Sequence, residues 1–200
     1  PVEHFIIASE LIRLGVPFVS LAPRFVGRFE KGVDYIGDRS LFERELILHC
    51  AVQQHFGSYK LSIHSGSDKF SIYPLFARYT RGKVHLKTAG TSYLEALRVI
   101  ARKEPAFFRE VMAFAVGRYE TDKVSYHVSA DLALVPPLWG VDDARLPALL
   151  DQFDARQVLH VTFGSALAEF GGALLAYLNT YPLDYAKTLE AHFIKHLQPF

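Results

Sequence analysis

Short extended runs alternate with helical ones along the first half of this chain, and that alternation constrains the fold more than any other feature. "VPFVSLA" (16–22), "YKLSIHS" (59–65) and "KVHLKTAG" (83–90) are β-branched or alternating runs bounded by polar turns. "VSYHVSADLALVP" (124–136) is a fourth candidate of the same kind. Helical periodicity lies between them. Phe5, Ala8, Leu11 and Ile12 share a face that stops at Gly15, and Phe42, Leu46, Ile47 and Cys50 share another. Ser40 with Glu43, and Ser92 with Glu95, have the spacing of capping boxes. Further helices are expected around 70–79, from Pro105 to about Tyr119, over 155–168 and in "PLDYAKTLEAHFIKHL". "PALLDQF" also reads as helical, and Gly171-Gly172 as a helix break or loop. Strands of this length joined by helices make βα units and a largely parallel sheet. The expectation is one α/β unit over 1–200 with about four parallel strands.

Function in such sheets sits on the loops at the carboxyl ends of the strands. Two of those ends carry chemistry here. His64-Ser-Gly-Ser-Asp68-Lys69 combines an imidazole, small hydroxyls, a carboxylate and an ammonium, with Gly66 permitting positive φ. Ser65, Asp68 and Lys69 are therefore candidate contacts for a polyhydroxylated anion, and His64 for a metal. His85 and Lys87 stand two apart, hence on one strand face. An inward lysine is costly unless it meets an anion. The loop after the first strand adds Arg24, Glu30, Lys31 and Asp34. Glu30 is a candidate ligand for a hard cation, and Arg24 and Lys31 are candidate carboxylate partners. The plainer alternatives are a strand-end histidine capping a loop, a tight turn into a capped helix, and a solvated polar loop. His127 and His160 are expected as core histidines. His192 and His196, at i and i+4, are expected on the outer face of an ordinary amphipathic helix. His4, His49 and His55 carry no signal.

Bulk properties narrow the class. Formal net charge is +1, which makes no electrostatic case for nucleic acid or an anionic membrane. No apolar run approaches the roughly 18–20 residues a bilayer span needs, and "PVEHFIIASELIRLG" does not read as a signal peptide. The single cysteine, Cys50, fits a reducing compartment and a buried helix face, so a cytoplasmic location is expected. The chain opens without methionine inside an amphipathic pattern, as a piece of a longer protein would. Walker A, GxGxxG, CxxC, HExxH and GxSxG patterns are absent, which removes most of the case for nucleotide-binding, zinc-peptidase and serine-hydrolase chemistry.

"RFVGRFEKGVDYIGD", "HSGSDKFSIYP", "HLKTAGTSYLEAL", "SYHVSADL" and "RQVLHVTFGS", in that order, resemble the C-terminal part of the tagaturonate epimerase family. The resemblance implies a metal-dependent interconversion of D-tagaturonate and D-fructuronate in hexuronate catabolism. It also implies the last four or so strands of a (β/α)8 TIM-type barrel with extra C-terminal helices. The family's metal-binding histidine falls on His64, with Glu30 and His85 the candidates for a second ligand. The divalent cation, Zn, Mn, Ni or Co, is left open. The family's acid and base residues are expected upstream of Pro1, so the chain alone is expected to be inactive. The substrate would be a small keto-uronate, and the chain would pair with a missing half or with a second copy. Two rivals stay open: a barrel enzyme acting on another keto-sugar or sugar phosphate, and a non-catalytic half-barrel.

Overall fold

A computed structural model describes every residue except Ser58, Gly66 and Ala89. Gly66, expected to lend its freedom to the loop after His64, therefore lies outside the described residues. The chain forms two compact units. The first comprises residues 1–29, 34–88 and 196–200, and the second residues 30–33 and 89–195.

Unit one follows the expected alternation: α1 (Val2–Arg13), β1 (Ser20–Leu21), α2 (Arg39–Phe56), β2 (Lys60–Ile63), α3 (Tyr73–Thr80) and β3 (Val84–Leu86). The strands form a parallel sheet in the order β1-β2-β3, with Leu21 opposite Leu61, Ser62 opposite His85 and Ile63 opposite Leu86. Each crossover contains a helix, as parallel pairing requires. The side-chain period of two splits the central strand cleanly. Leu61 and Ile63 are fully buried, whereas Lys60 is exposed and Ser62 half-buried. The buried face meets Phe42, Leu46 and Cys50 of α2 and Tyr73 and Phe76 of α3 in one core. Full burial of a side chain such as Phe42 or Leu46 contributes roughly 1.5–3 kcal/mol.

α2 is started by Asp38 rather than by the expected Ser40–Glu43 box. The Asp38 carboxylate accepts from the amides of Ser40 (2.7 Å) and Leu41 (3.1 Å), which leaves Glu43 to accept from the Tyr79 hydroxyl. Gly57, at φ 116°, ends the helix in a conformation that suits glycine. Gln53, buried on the same helix, donates to the carbonyls of Tyr59 (2.7 Å) and Lys83 (3.1 Å), tying the starts of β2 and β3 together. Cys50 is core filler, as expected, and burial pushes its thiol up to about 11.

Unit two is helical: α4 (Thr91–Lys103), α5 (Pro105–Asp122), α6 (Phe153–Val161), α7 (Phe163–Thr180) and α8 (Pro182–Leu197), whose last two residues belong to unit one. Leu94, Leu97, Ile100, Phe108, Met112 and Leu159 are among its fully buried side chains. Three expectations fail here for identifiable reasons. The fourth strand does not form. Residues 123–134 hold two short 3-10 turns, and the intervening amides find side chains instead of a neighbouring strand. Ser129 and Ala130 donate to Gln157 Oε1 (2.8 and 2.6 Å), and Asp131 donates to Asp154 (2.8 Å). α4 has no Ser92–Glu95 box, because Glu95 is buried among cationic groups. The helical reading of "PALLDQF" holds over 147–150, where the 3-10 helix Asp143–Leu150 ends, with Pro147 inside it and lacking an N–H. Gly171 and Gly172 lie within α7, the helix supported by apolar neighbours on either side of the pair. The helix expected over 155–168 is broken at Thr162 into α6 and α7, which meet at a bend of 77°, whereas the C-terminal helix is present.

Among the described residues no single helix is long and apolar enough to cross a membrane.

Candidate functional site

Three adjacent parallel strands end together in unit one, and the expected groups follow them. Arg24 lies in the loop after β1, His64 directly after β2, and Lys87 directly after β3; all three are exposed. His85, within β3, is exposed on the sheet face that also carries Ser62, whose hydroxyl lies 3.2 Å from His85 Nδ1. This sheet end therefore offers imidazole nitrogens for a metal or proton, and two cationic side chains for an anion.

The loop after β2 is held in an unusual backbone conformation. Ser65 and Asp68 both adopt left-handed φ, 51° and 63°, although neither is glycine. Such conformations cost about 1–3 kcal/mol each and persist only where the surroundings over-determine them. The restraints are visible. The Asp68 amide donates to His196 Nε2 (3.1 Å), and the next amide, Lys69, donates to the Tyr73 hydroxyl (3.2 Å). The Lys69 ammonium donates to the Ser67 carbonyl (3.2 Å) and its side chain is fully buried. Further along, Ser71 donates its amide and its hydroxyl (3.0 Å) to the Asp34 carboxylate, closing this loop onto the one after β1. Asp34 is thus a brace, and Asp68 and Lys69, read from sequence as substrate contacts, are built into the loop itself. Burial is the main reason the Tyr73 phenol is pushed well above its ordinary range.

His196 overturns the expectation of a surface histidine: it is 1 % exposed. Its ring packs against Phe70 (4.8 Å between centroids) and Tyr73 (5.7 Å), and its Nε2 lies 3.6 Å from the Asp68 carboxylate. A buried imidazole and a buried carboxylate are ligand types for a divalent cation as well as a structural pair. The i, i+4 spacing with His192 was the available signal; the long-range partners that bury the ring leave no trace in the local pattern.

In unit two, Glu30 is buried and its Oε2 accepts from the Ser129 hydroxyl (2.8 Å) and from Gln157 Nε2 (3.1 Å). The Lys31 ammonium lies 3.6 Å above the Tyr126 ring, a cation–π contact. His127 is exposed rather than in the core, whereas His160 is buried as expected. A Cβ on Gly32 or Gly90 would stand 2.6 or 2.5 Å from the His160 ring nitrogens, so both positions must be glycine for the ring to sit there. Glu95 lies 2.9 Å from Arg98 Nε, 3.9 Å from Arg156 and 3.5 Å from His192 Nδ1. His192 is also buried, contrary to expectation.

Two histidines without a sequence signal form a buried chain in unit one. His4 Nδ1 and His49 Nδ1 lie 3.1 Å apart, and the Tyr59 hydroxyl lies 2.8 Å from His4 Nε2. Burial is the largest cause lowering their pKa values, to about 4 for His4 and about 3 for His49. It also raises the Tyr59 phenol to about 12.

Residues 1–200 match the family model for tagaturonate epimerase. A curated relative from Thermotoga maritima, named tagaturonate/fructuronate epimerase, is 45% identical over 199 residues, covering 98% of this chain and 41% of its own. Crystal structures of a fructuronate-tagaturonate epimerase from Cohnella laeviribosi, native and with one glycerol, superpose with a TM-score of 0.94 at 45% identity. They cover 98% of this chain and 41% of theirs. The chain thus spans about two fifths of the length of the relatives it matches.

Proposed function

Because the chain belongs to the tagaturonate epimerase family, we propose that it is part of a metal-dependent enzyme interconverting D-tagaturonate and D-fructuronate in hexuronate breakdown. In this reading the three parallel strands are a sector of a (β/α)8 barrel, and the enzyme is cytoplasmic. The observation that carries the site assignment is the exposed group at one sheet end: His64, His85, Lys87 and Arg24, around the carboxyl ends of adjacent strands.

The imidazole donors suit a borderline divalent ion such as Zn, Ni or Co better than the harder Mn, which prefers oxygen ligands, and exposed imidazoles reach a cation without disturbing the core. His64 would hold it, with His85 the second candidate. Once bound, the cation polarises substrate oxygens. Lys87 and Arg24 bind the sugar carboxylate, Arg24 through a bidentate fork where geometry allows and Lys87 as a point charge. Ser65 offers a hydroxyl to the sugar. Epimerisation at a carbon bearing a hydroxyl needs either a proton removed on one face and returned on the other, or a carbon–carbon bond broken and re-formed. Both routes develop negative charge on oxygen, which the cationic side chains of this sheet end stabilise.

The test is NMR-followed turnover of D-tagaturonate by the full-length protein, with and without chelator. Fructuronate formation that stops with chelator and returns with added cation supports the reading, and His64→Ala should then abolish it. No conversion with metal present would move the substrate to another keto-sugar, or a sugar phosphate where dephosphorylation removes turnover. A protein inert to all of these would be a binding or structural module.

A further inference from the structure

We infer that the C-terminal segment of the chain is a positioning element for the loop that follows His64, acting through His196; this rests on the reading of His64 as a metal ligand. Four observations converge on it, all within unit one. Two non-glycine residues of the loop, Ser65 and Asp68, sit at left-handed φ, so the loop does not hold its shape by local preference. The amide of Asp68 needs an acceptor, and His196 Nε2 supplies it from 128 residues away. The adjacent amide of Lys69 is taken by Tyr73, whose ring contacts both His196 and Phe200. His196 and Tyr73 thus form one surface of side-chain acceptors that reads consecutive backbone donors. A lone pair on Nε2 requires the neutral Nδ1–H tautomer. His196 therefore acts on the backbone as a fixed acceptor, and the Phe70 and Tyr73 rings hold it in place.

The consequence reaches the site through the chain. Asp68 is four residues from His64, along the loop that His196 restrains. Releasing the Asp68 amide lets Ser65 and Asp68 relax toward ordinary φ, which displaces the imidazole at the loop's start. Groups that orient a metal ligand from outside the coordination sphere are worth 10–100-fold in metal affinity or activity when lost.

The experiment compares full-length wild type, His196→Leu and His196→Gln. Glutamine places an acceptor oxygen near the position of Nε2, whereas leucine fills the volume without one. Amide exchange of the peptide spanning 64–70, Co2+ titration of metal-stripped protein followed by its visible absorption, kcat and KM for D-tagaturonate, and melting temperature are read together. Faster exchange at 64–70, roughly 10–100-fold weaker Co2+ binding in His196→Leu, and recovery in His196→Gln support the inference. Unchanged exchange and unchanged Co2+ affinity in His196→Leu overturn it. A changed Co2+ spectrum in His196→Gln, rather than weaker binding alone, would make His196 a ligand itself and also overturn it. Wild type that binds no Co2+ and turns over no substrate would sink the functional reading, and the exchange data would then decide the positioning role alone. If His196→Leu fails to fold, His196→Phe, which keeps a ring between Phe70 and Tyr73 but offers no acceptor, carries the same comparison.

Discussion

The strand ends of unit one and the interior of unit two treat their ionisable groups in opposite ways. At the sheet end of unit one, Arg24, His64, His85 and Lys87 face solvent, and none has an ion pair to a neighbouring acid among the described contacts. In unit two the charged and polar groups turn inward. Glu95 is buried beside Arg98, Arg156 and His192, and Glu30 beside Ser129 and Gln157. Buried groups of this kind must be paired, since each loses its water on folding. Exposed groups clustered at strand ends have no such obligation, and so remain available to a ligand. The same residue types are therefore tied into the fold at one place and left open to solvent at the other.

The sharpest way to break the contrast is Glu95→Ala. It removes the buried acid that Arg98 and Arg156 share, while Arg98 keeps Asp151 and Arg156 keeps the carbonyls of Gly32 and Leu150. A loss of about 3 kcal/mol is expected by denaturant unfolding; a change below about 1 kcal/mol would mean that the cluster is solvated. The acid limb of stability should come next. His4 and His49 have folded pKa values depressed by burial below the unfolded value, so the unfolded chain binds more protons as pH falls through about 6.5. Their contribution is complete above that value and is lost progressively toward about pH 3, on the order of a few kcal/mol in all. Unfolding curves at pH 7 and 4.5 check the sign, and His49→Leu should flatten the difference. A protein equally stable at both values would show that the pair is not buried in solution.

Gln157→Ala removes the acceptor for the amides of Ser129 and Ala130 and a donor to Glu30. A loss of about 1–3 kcal/mol is expected from thermal melts, together with faster amide exchange in 126–131. The smallest expected effect is the most telling. His64→Ala and Lys87→Ala should leave stability within about 0.5 kcal/mol, as exposed substitutions do, while turnover by the full-length protein collapses. A large stability loss for either would place it with the fold rather than with the site.

Much of unit one is legible in the sequence. The alternation of β1, α2, β2, α3 and β3, the burial of Phe42, Leu46 and Cys50, and the strand-end positions of His64 and Lys87 all follow from local periodicity, although Lys87 is exposed rather than turned inward. Periods of 2 and 3.6 act over neighbouring residues and survive any tertiary context that buries one face. The motifs that point to the tagaturonate epimerase family are local in the same sense. Tertiary structure alone decides the rest. The helix 153–161 places Gln157 and Asp154 where they accept the amides of 129–131, and a pattern that reads as a fourth strand becomes a loop. The Glu30 carboxylate finds its partner 127 residues away, and the Asp68 amide finds His196 at a distance of 128. His192 and His196 look like surface residues because helical spacing reports which residues share a face, and nothing about what that face meets. Local physics sets the elements; where a polar group goes for its hydrogen bonds depends on which distant side chain the folded chain brings to it.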